Sequence, residues 1–411
     1  MNQIIIISFT FPPQYGIGGR RWAKFTKYFA QQEVNLQVYT TTPVITSSNW
    51  LKDVPKSVAT HFIPSQYPKT VRFGPQNFLD HIKYRADLWF IKQKTKGNYY
   101  DPSCLWNREL IPAIEEVLDN VDVLIATAGP FSYLHHLLKL KESFPKLKLV
   151  VDLRDPWTNN KTAYGYDSLT PDRFSYEKNI EKEVISGFDL IVCVADVMTN
   201  YFKSIVPNSP DEKFITVPNG YDPDEAVTST GSKRDSRKTQ IALVGTLYGK
   251  TIEAILTLTE IIKEYEDKVT FIFCGVMNND AHMALSKRSN VKLIGKVTNN
   301  KSKEIISQAD VCLLILPDDL TYSFSTKFCE YVHAQKPIWV ISKDGSTPNF
   351  VRDNGIGFHS LPTYESLKNG IEEILKNLET IDYSEFDDAH FNLKNISNNF
   401  FKRLIELTTI D

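Results

Sequence analysis

The sequence lacks a charge excess of either sign: 47 Lys+Arg against 49 Asp+Glu leave a formal net charge of -2. A dedicated nucleic-acid binder carries a basic surplus, so no nucleic-acid partner is expected. Cysteines are few and odd in number, and Cys104, Cys193, Cys274, Cys312 and Cys329 are far apart with no Cys-x-x-Cys pair. They read as reduced, buried thiols rather than a disulfide framework. No run approaches the ~18 apolar residues that a bilayer crossing needs. The start of the chain shows no basic leader ahead of its four isoleucines, Ile4–Ile7. A cytoplasmic location is expected, peripheral to the inner face of a membrane at most.

What is present is an average globular composition, 42% hydrophobic and 23% charged over 411 residues. At roughly 150 residues per core this length makes two or three domains. Short apolar, β-branched runs alternate with amphipathic stretches, the pattern of βα units and a parallel sheet. It occurs twice. The first series places strands at Gln3–Phe9, Leu36–Thr40, Val121–Ala126, Leu147–Asp152 and Leu190–Val194. The second places them at Gln240–Val244, Thr270–Phe273, Val291–Ile294, Val311–Ile315 and Pro337–Ile341. Between the two lies Thr228 to Lys238, eleven residues without a large apolar side chain, read as an exposed loop near the domain boundary. The last segment, Phe386 to Leu407, has a helical stripe of Phe391, Ile396, Phe400, Phe401, Leu404 and Ile405, read as a closing helix.

Four constellations fall at strand ends, where open α/β sheets meet their ligands. Gly16-Ile17-Gly18-Gly19-Arg20-Arg21 follows the first strand and opens the first helix, a place where backbone amides approach an anion. Its third fingerprint position is Arg21, and Val38-Tyr39-Thr40-Thr41 has no ribose-binding acid, so a dinucleotide is not indicated. Asp152-Leu153-Arg154-Asp155 sets two carboxylates around a guanidinium, suited to sugar hydroxyls or developing positive charge, or to a structural ion pair. Gly245-Thr246-Leu247-Tyr248-Gly249-Lys250 offers a lysine to a phosphate but is too short for a P-loop. In Tyr322 to Ile338, Ser325 or Thr326 caps a helix, and Lys327 and Glu330 share a helical face. A carboxylate there suits ribose hydroxyls, and a surface Lys–Glu pair is the plain alternative.

This last segment resembles the donor-site signature of GT-B glycosyltransferases, in particular the retaining glycosyltransferase family four. Thr326-Lys327, Glu330-Tyr331, Ala334 and Lys336-Pro337 match it in order. Pro12-Pro13 with Gly16 to Arg20, Val217 to Asp222, Val244-Gly245 and Gly295-Lys296-Val297 extend the resemblance over nearly the whole chain. It implies two Rossmann-like β/α/β domains facing across a cleft, residues 1–218 for the acceptor and 219–385 for the nucleotide sugar. Residues 386–411 would form a helix packing back on the first. It also implies that Glu330 binds the donor ribose, and that Ser325, Thr326 and Lys327, with Gly245, Thr246 and Lys250, hold the diphosphate. Gly295 and Val297 would read the base through the backbone, and Gly18 and Gly19 would approach the diphosphate. Tyr322 stands where many relatives have a second glutamate, and Thr246 where many have arginine.

The implied reaction transfers a sugar with retention from a nucleotide-diphosphate sugar to a glycan, glycolipid or other acceptor in surface polysaccharide assembly. Its main need is stabilisation of a leaving diphosphate, which a lysine and helix amides supply, so no metal or other cofactor is expected. Asp155 and Arg154 are the candidate catalytic residues. Lys69 to Tyr100 interleaves basic residues with large aromatics and suits an anionic membrane surface, or an ordinary amphipathic helix. The alternatives are a GT-B-like sugar-nucleotide epimerase, a class that shares the fold, and a catalytically silent nucleotide-sugar-binding protein, to which Tyr322 points.

Overall fold

The computed structural model describes the chain except Tyr15, Ser47, residues 161–164 and 226–237, Tyr248, Lys250, Asp319, Ser323, residues 410–411 and the side chain of Ile17. It divides into two compact units, residues 1–218 with 396–411, and residues 219–395. The first contains seven parallel strands: β1 (Gln3–Ser8), β2 (Asn35–Thr41), β3 (Ala59–Ile63), β4 (Val123–Thr127), β5 (Lys148–Leu153), β6 (Leu190–Cys193) and β7 (Phe214–Thr216). Their order is β3-β2-β1-β4-β5-β6-β7. The second contains six: β8 (Thr239–Thr246), β9 (Val269–Val276), β10 (Val291–Leu293), β11 (Val311–Ile315), β12 (Ile338–Ile341) and β13 (Gly357–Ser360), in the order β10-β9-β8-β11-β12-β13. Both are doubly wound α/β sheets, with order reversing between β1 and β4 and between β8 and β11. Such a reversal opens a crevice at the carboxyl edge.

Helices cover both faces of a parallel sheet, so its central strands are apolar throughout. Ile4, Ile5, Ile6 and Ile7 are accordingly all 0% exposed. In the second sheet, parity sorts the residues between two faces. Ile241, Leu243, Phe271, Phe273, Val311, Leu313, Trp339 and Ile341 share one apolar cluster, while Ala242, Val244, Ile272, Cys274, Cys312, Leu314, Ile338 and Val340 share the other. The strands that sequence patterning does not anticipate are β3, β7 and β13. All are sheet edges, and each mixes buried with partly exposed positions, which removes the continuous apolar signal.

The closing helix runs Leu393–Thr409, so it begins seven residues later than the periodicity suggests. Phe391 ends a short 3-10 turn, packs on Phe324, Phe328 and Phe350 of the second unit, and its carbonyl accepts the Tyr221 N–H at 2.9 Å. Beyond it, Phe400 sets its ring 5.8 Å from both Phe25 and Phe29 in the first unit, beside Trp22. Most of the polar stretch at residues 228–238 lies outside the described residues. Among the described residues no helix is long and apolar enough to cross a membrane, and the five cysteines are unbridged, four of them buried.

Candidate functional site

The donor-like signature folds into the helix Thr326–His333, which follows switch-point strand β11. Phe328, Tyr331 and Val332, at i, i+3 and i+4, are its buried face against the sheet. Tyr331 lies between the two strands flanking the reversal: its hydroxyl accepts the Val244 N–H and donates to the Leu313 carbonyl, each at 3.3 Å. Ser325 is the N-cap, its hydroxyl accepting the Phe328 N–H at 3.2 Å. The first-turn amides of Thr326 and Lys327 have no acceptor within the helix and carry its positive dipole end.

Glu330 and Lys327 project from the other side of this helix. Lys327 Nζ is 2.7 Å from Glu330 Oε2 and 3.4 Å from the Ser302 hydroxyl. Glu330 is only 7% exposed, so this is not the solvated surface pair that its spacing alone most often means. A carboxylate beside a cation at a helix start can accept hydrogen bonds from a diol while the cation meets an anion. Ser302, on the helix Asn299–Gln308, carries no sequence signal of its own. Ala334 and Lys336-Pro337, by contrast, terminate the helix and start β12: Lys336 N–H bonds the Tyr331 carbonyl at 3.1 Å, and Cys312 N–H the Pro337 carbonyl at 2.8 Å.

Gly245, Thr246, Gly295 and Val297 lie at or beyond the carboxyl ends of β8 and β10 on the same sheet edge. Gly295 has φ +73° with open space where a Cβ would be. Its carbonyl accepts the Cys274 S–H at 3.7 Å. Burial raises the Cys274 thiol pKa and the charge of Lys327 pulls it back, which brings Lys327 into electrostatic reach of the Gly295 turn. Val297 is half-buried against the apolar cluster, leaving its backbone as the polar element. Lys250 lies outside the described residues. The one Asp-x-Asp string, Asp222-Pro223-Asp224, is a local turn in which Asp222 accepts the Asp224 N–H at 3.0 Å.

In the first unit the structure corrects two readings. Asp152 is fully buried and clamps Arg21 through two 3.1 Å bonds, with Trp22 Nε1 at 2.8 Å, so neither Asp152 nor Arg21 is available to a ligand. Arg21 also donates to the Val217 and Pro218 carbonyls. Arg154 is also bonded within the protein. Its guanidinium is spread over three backbone carbonyls, Ala128, Gly129 and Gly18, at 3.0, 2.7 and 2.6 Å. Gly19 packs so closely on Phe11 and Thr10 that a Cβ would crowd them at 3.2 Å, whereas Gly18 has room. Asp155 is half-buried, just past the carboxyl end of β5.

The basic-aromatic segment includes the helix Phe78–Lys94. Tyr84, Leu88 and Ile91 face inward, Ile91 packing with Tyr67 and Tyr99. Outward it presents Phe78, Leu79, Ile82, Trp89 and Phe90, with Phe78 78% and Trp89 65% exposed. At 3.6 residues per turn these five fall within an arc of about 120°. Lys83 and Lys94 border one side of the arc, and Arg85 and Lys92 the other.

Together the two doubly wound units define the GT-B glycosyltransferase fold. Solved structures share it: sucrose-phosphate synthase from Thermosynechococcus elongatus (12% identity, 100% of each chain, TM-score 0.67), a glycosyltransferase from Rickettsia africae (12% identity, 100% of this chain and 99% of that one, TM-score 0.66), and HepE from Anabaena in complex with UDP and glucose (12% identity, 99% and 100%, TM-score 0.62). No protein-family model matches the chain, and no curated protein matches it by sequence.

Proposed function

We propose that the protein is a glycosyltransferase that moves a sugar from a nucleotide-diphosphate sugar, of the UDP type, to a glycan or lipid-linked acceptor in the assembly of a surface polysaccharide or glycoconjugate. The observation that carries this is the buried Glu330 carboxylate held beside Lys327 on the first turn of the switch-point helix. In this reading Glu330 accepts the two ribose hydroxyls. Lys327, with Lys250 and the Thr326 and Lys327 amides after the Ser325 cap, meets the diphosphate. Gly245 and Thr246 flank that charge, and the backbone at Gly295 and Val297 reads the base.

The reaction breaks the bond between the anomeric carbon and the diphosphate oxygen and forms one to the acceptor oxygen on the same face. The acceptor's proton passes to the leaving phosphate. The cations and helix amides stabilise the departing charge without a metal. Asp155 is assigned to the acceptor or to the developing positive charge, with Arg154 fixing the backbone around it.

A lipid-linked acceptor is supported by the helix Phe78–Lys94, whose outward aromatic arc bordered by cations suits an anionic bilayer surface, the cytoplasmic leaflet in this reading. Flotation with anionic vesicles should be salt-sensitive and lost in Lys83→Ala/Arg85→Ala/Lys92→Ala. For the donor site, a ligand at about 100 times its Kd adds about 2.7 kcal/mol of stability. UDP or GDP should therefore raise the Tm of the wild type and not of Glu330→Ala, and an equal rise in both would sink the assignment. Incubation with a panel of UDP- and GDP-sugars then reads the reaction: transfer or slow hydrolysis fits a transferase, isomerisation an epimerase, and binding without turnover a silent binder.

A further inference from the structure

The first unit has a pocket of about 370 Å³ that, Lys94 at the end of the helix Phe78–Lys94 aside, is apart from every residue assigned above to donor or acceptor. That volume is within the ~300–1,000 Å³ usual for small-molecule sites. Four segments wall it: Lys94 to Gly97, the start of the helix Asn107–Glu115, Ser132 with His135 and His136, and the helix Pro171–Gly187. Its lining places three cations, Lys94, Lys96 and Arg108, against one carboxylate, Glu177.

The walls are held by specific bonds. Arg173 donates to the carbonyls of Lys92 at 2.5 Å, Gly97 at 3.2 Å and Thr95. One turn further along the same helix, Glu177 accepts the Asn98 N–H at 2.6 Å and the Trp157 indole N–H at 3.3 Å. The Gly97 backbone lies so near that any Cβ would collide with the Glu177 carboxylate. Asp101 accepts the Phe131 and Ser132 amides at 2.7 and 2.9 Å on the facing wall. Burial pushes the Glu177 carboxyl up to about 7, so it does not set a full negative charge against an anion at neutral pH. His136, pushed down to about 4 by burial, is a neutral hydrogen-bonding ring there.

We propose that this pocket binds a phosphate-bearing ligand through Lys94, Lys96 and Arg108. A dianionic group matches the surplus of cations, and Glu177 and His136 line the pocket beside it, while the His135 Nε2 is taken up by Glu183 at 2.7 Å. Lys94 ends the outward-facing helix Phe78–Lys94, so the same chemistry serves the phosphate of a soluble sugar phosphate or of a lipid headgroup.

The test compares the full-length wild type with Lys96→Ala/Arg108→Ala. Both side chains are exposed, so the variant should keep the wild-type circular dichroism and Tm. The probes are inorganic phosphate and a hexose 6-phosphate, read by calorimetry, and phosphatidylcholine vesicles with and without phosphatidic acid, read by flotation. Soluble phosphate affinity weakened at least tenfold in the variant supports the site and a soluble ligand. Flotation that requires phosphatidic acid and is lost in the variant supports the site and a lipid headgroup. No binding of any probe to the wild type overturns the proposal, as does binding the variant retains undiminished. The UDP response is measured in parallel: if the variant loses it together with phosphate, the phosphate was reporting the donor site and the proposal fails. Absence of a UDP response in the wild type would count against the donor reading and leave this one standing.

Discussion

Arg154 Nη1 donates to the carbonyl of Gly18 at 2.6 Å, joining segments 136 residues apart. With the Ala128 and Gly129 carbonyls on its other nitrogens, one guanidinium ties together the loops that follow β1, β4 and β5. Arg154→Ala strands three acceptors, and at about 1–3 kcal/mol for a buried group left unpaired the expected loss is roughly 2–3 kcal/mol, given the part-buried setting. Arg154→Lys should recover only a fraction, since an ammonium lacks the planar fork. Urea denaturation measures both. UDP affinity should stay at the wild-type level in each, because the role is to position backbone in the first unit. A denaturation midpoint unchanged in Arg154→Ala would remove it.

Lys327 and Glu330 make a second testable pair. Glu330 is buried, so Lys327→Ala removes a cation from beside a buried carboxylate, a change that costs about 3–5 kcal/mol where such a pair is fully buried. With Lys327 about a quarter exposed, roughly half of that is expected. Lys327→Ala/Glu330→Gln should be more stable than Lys327→Ala alone, since the buried charge that faced the lysine is gone. Glu330→Gln should weaken UDP binding by tenfold to a hundredfold, the worth of one charge-assisted hydrogen bond. Calorimetry decides the second point. Equal UDP affinity in wild type and Glu330→Gln would dissociate this carboxylate from the ribose.

Much of this site was legible because its chemistry is carried by contiguous residues. The capping serine, the lysine and the glutamate three residues on are encoded within six consecutive residues, Ser325 to Glu330, and the strands around the switch points are continuous apolar runs. What was not legible depends on partners distant in the chain. Asp152 looks like a ligand-binding acid until Arg21 and Trp22, more than 120 residues earlier, are found on it. The three carbonyls bonded by the Arg154 guanidinium, two of them 25 and 26 residues away and one 136 residues away, have no sequence signal either. Glu177 and Glu181, spaced four apart on a helix, carry no sequence signal of their own, yet they are 3% and 2% exposed. No local pattern distinguishes a buried glutamate from an exposed one. Edge strands fail for the converse reason: β7 is three residues long and its pairing partner, not its composition, defines it.

Gly275 faces Gly245 across the β8–β9 pair. It has φ +151°, and a Cβ there would run into the Gly245 carbonyl oxygen, whereas a Cβ at Gly245, also at φ +151°, would meet open space. Gly275→Ala therefore combines backbone strain with a backbone clash at the ends of two central strands, and should cost more than about 3 kcal/mol. Gly245→Ala carries the strain alone, about 1–3 kcal/mol. The order of the two is the prediction, read from denaturation of purified variants. A Gly245 variant less stable than the Gly275 variant would reverse it.

Glu181 links burial to pH. Its carboxylate accepts the Thr158 N–H at 3.3 Å and the Thr158 hydroxyl. Burial pushes its pKa up from 4.5 to about 7, against the pull of those bonds. Between about pH 4.5 and pH 7 the folded chain therefore binds more protons at this position than the unfolded chain does. Stability from Glu181 is complete below about 4.5 and is lost as pH rises through about 7. At about 1.4 kcal/mol per pKa unit the whole span is on the order of 3 kcal/mol. Glu181→Gln keeps an oxygen for the Thr158 N–H and offers an amide N–H to its hydroxyl, without a charge to bury. The variant should be more stable than the wild type at pH 8, by an advantage that shrinks towards pH 5. Glu177 titrates in the same range and is raised in part by the Glu181 charge, so the difference between the two stability curves reads Glu181 together with its smaller effect on Glu177. A difference that is flat from pH 5 to pH 8 would show that this carboxylate ionises in the folded protein as it does in the unfolded chain, and so has no raised pKa.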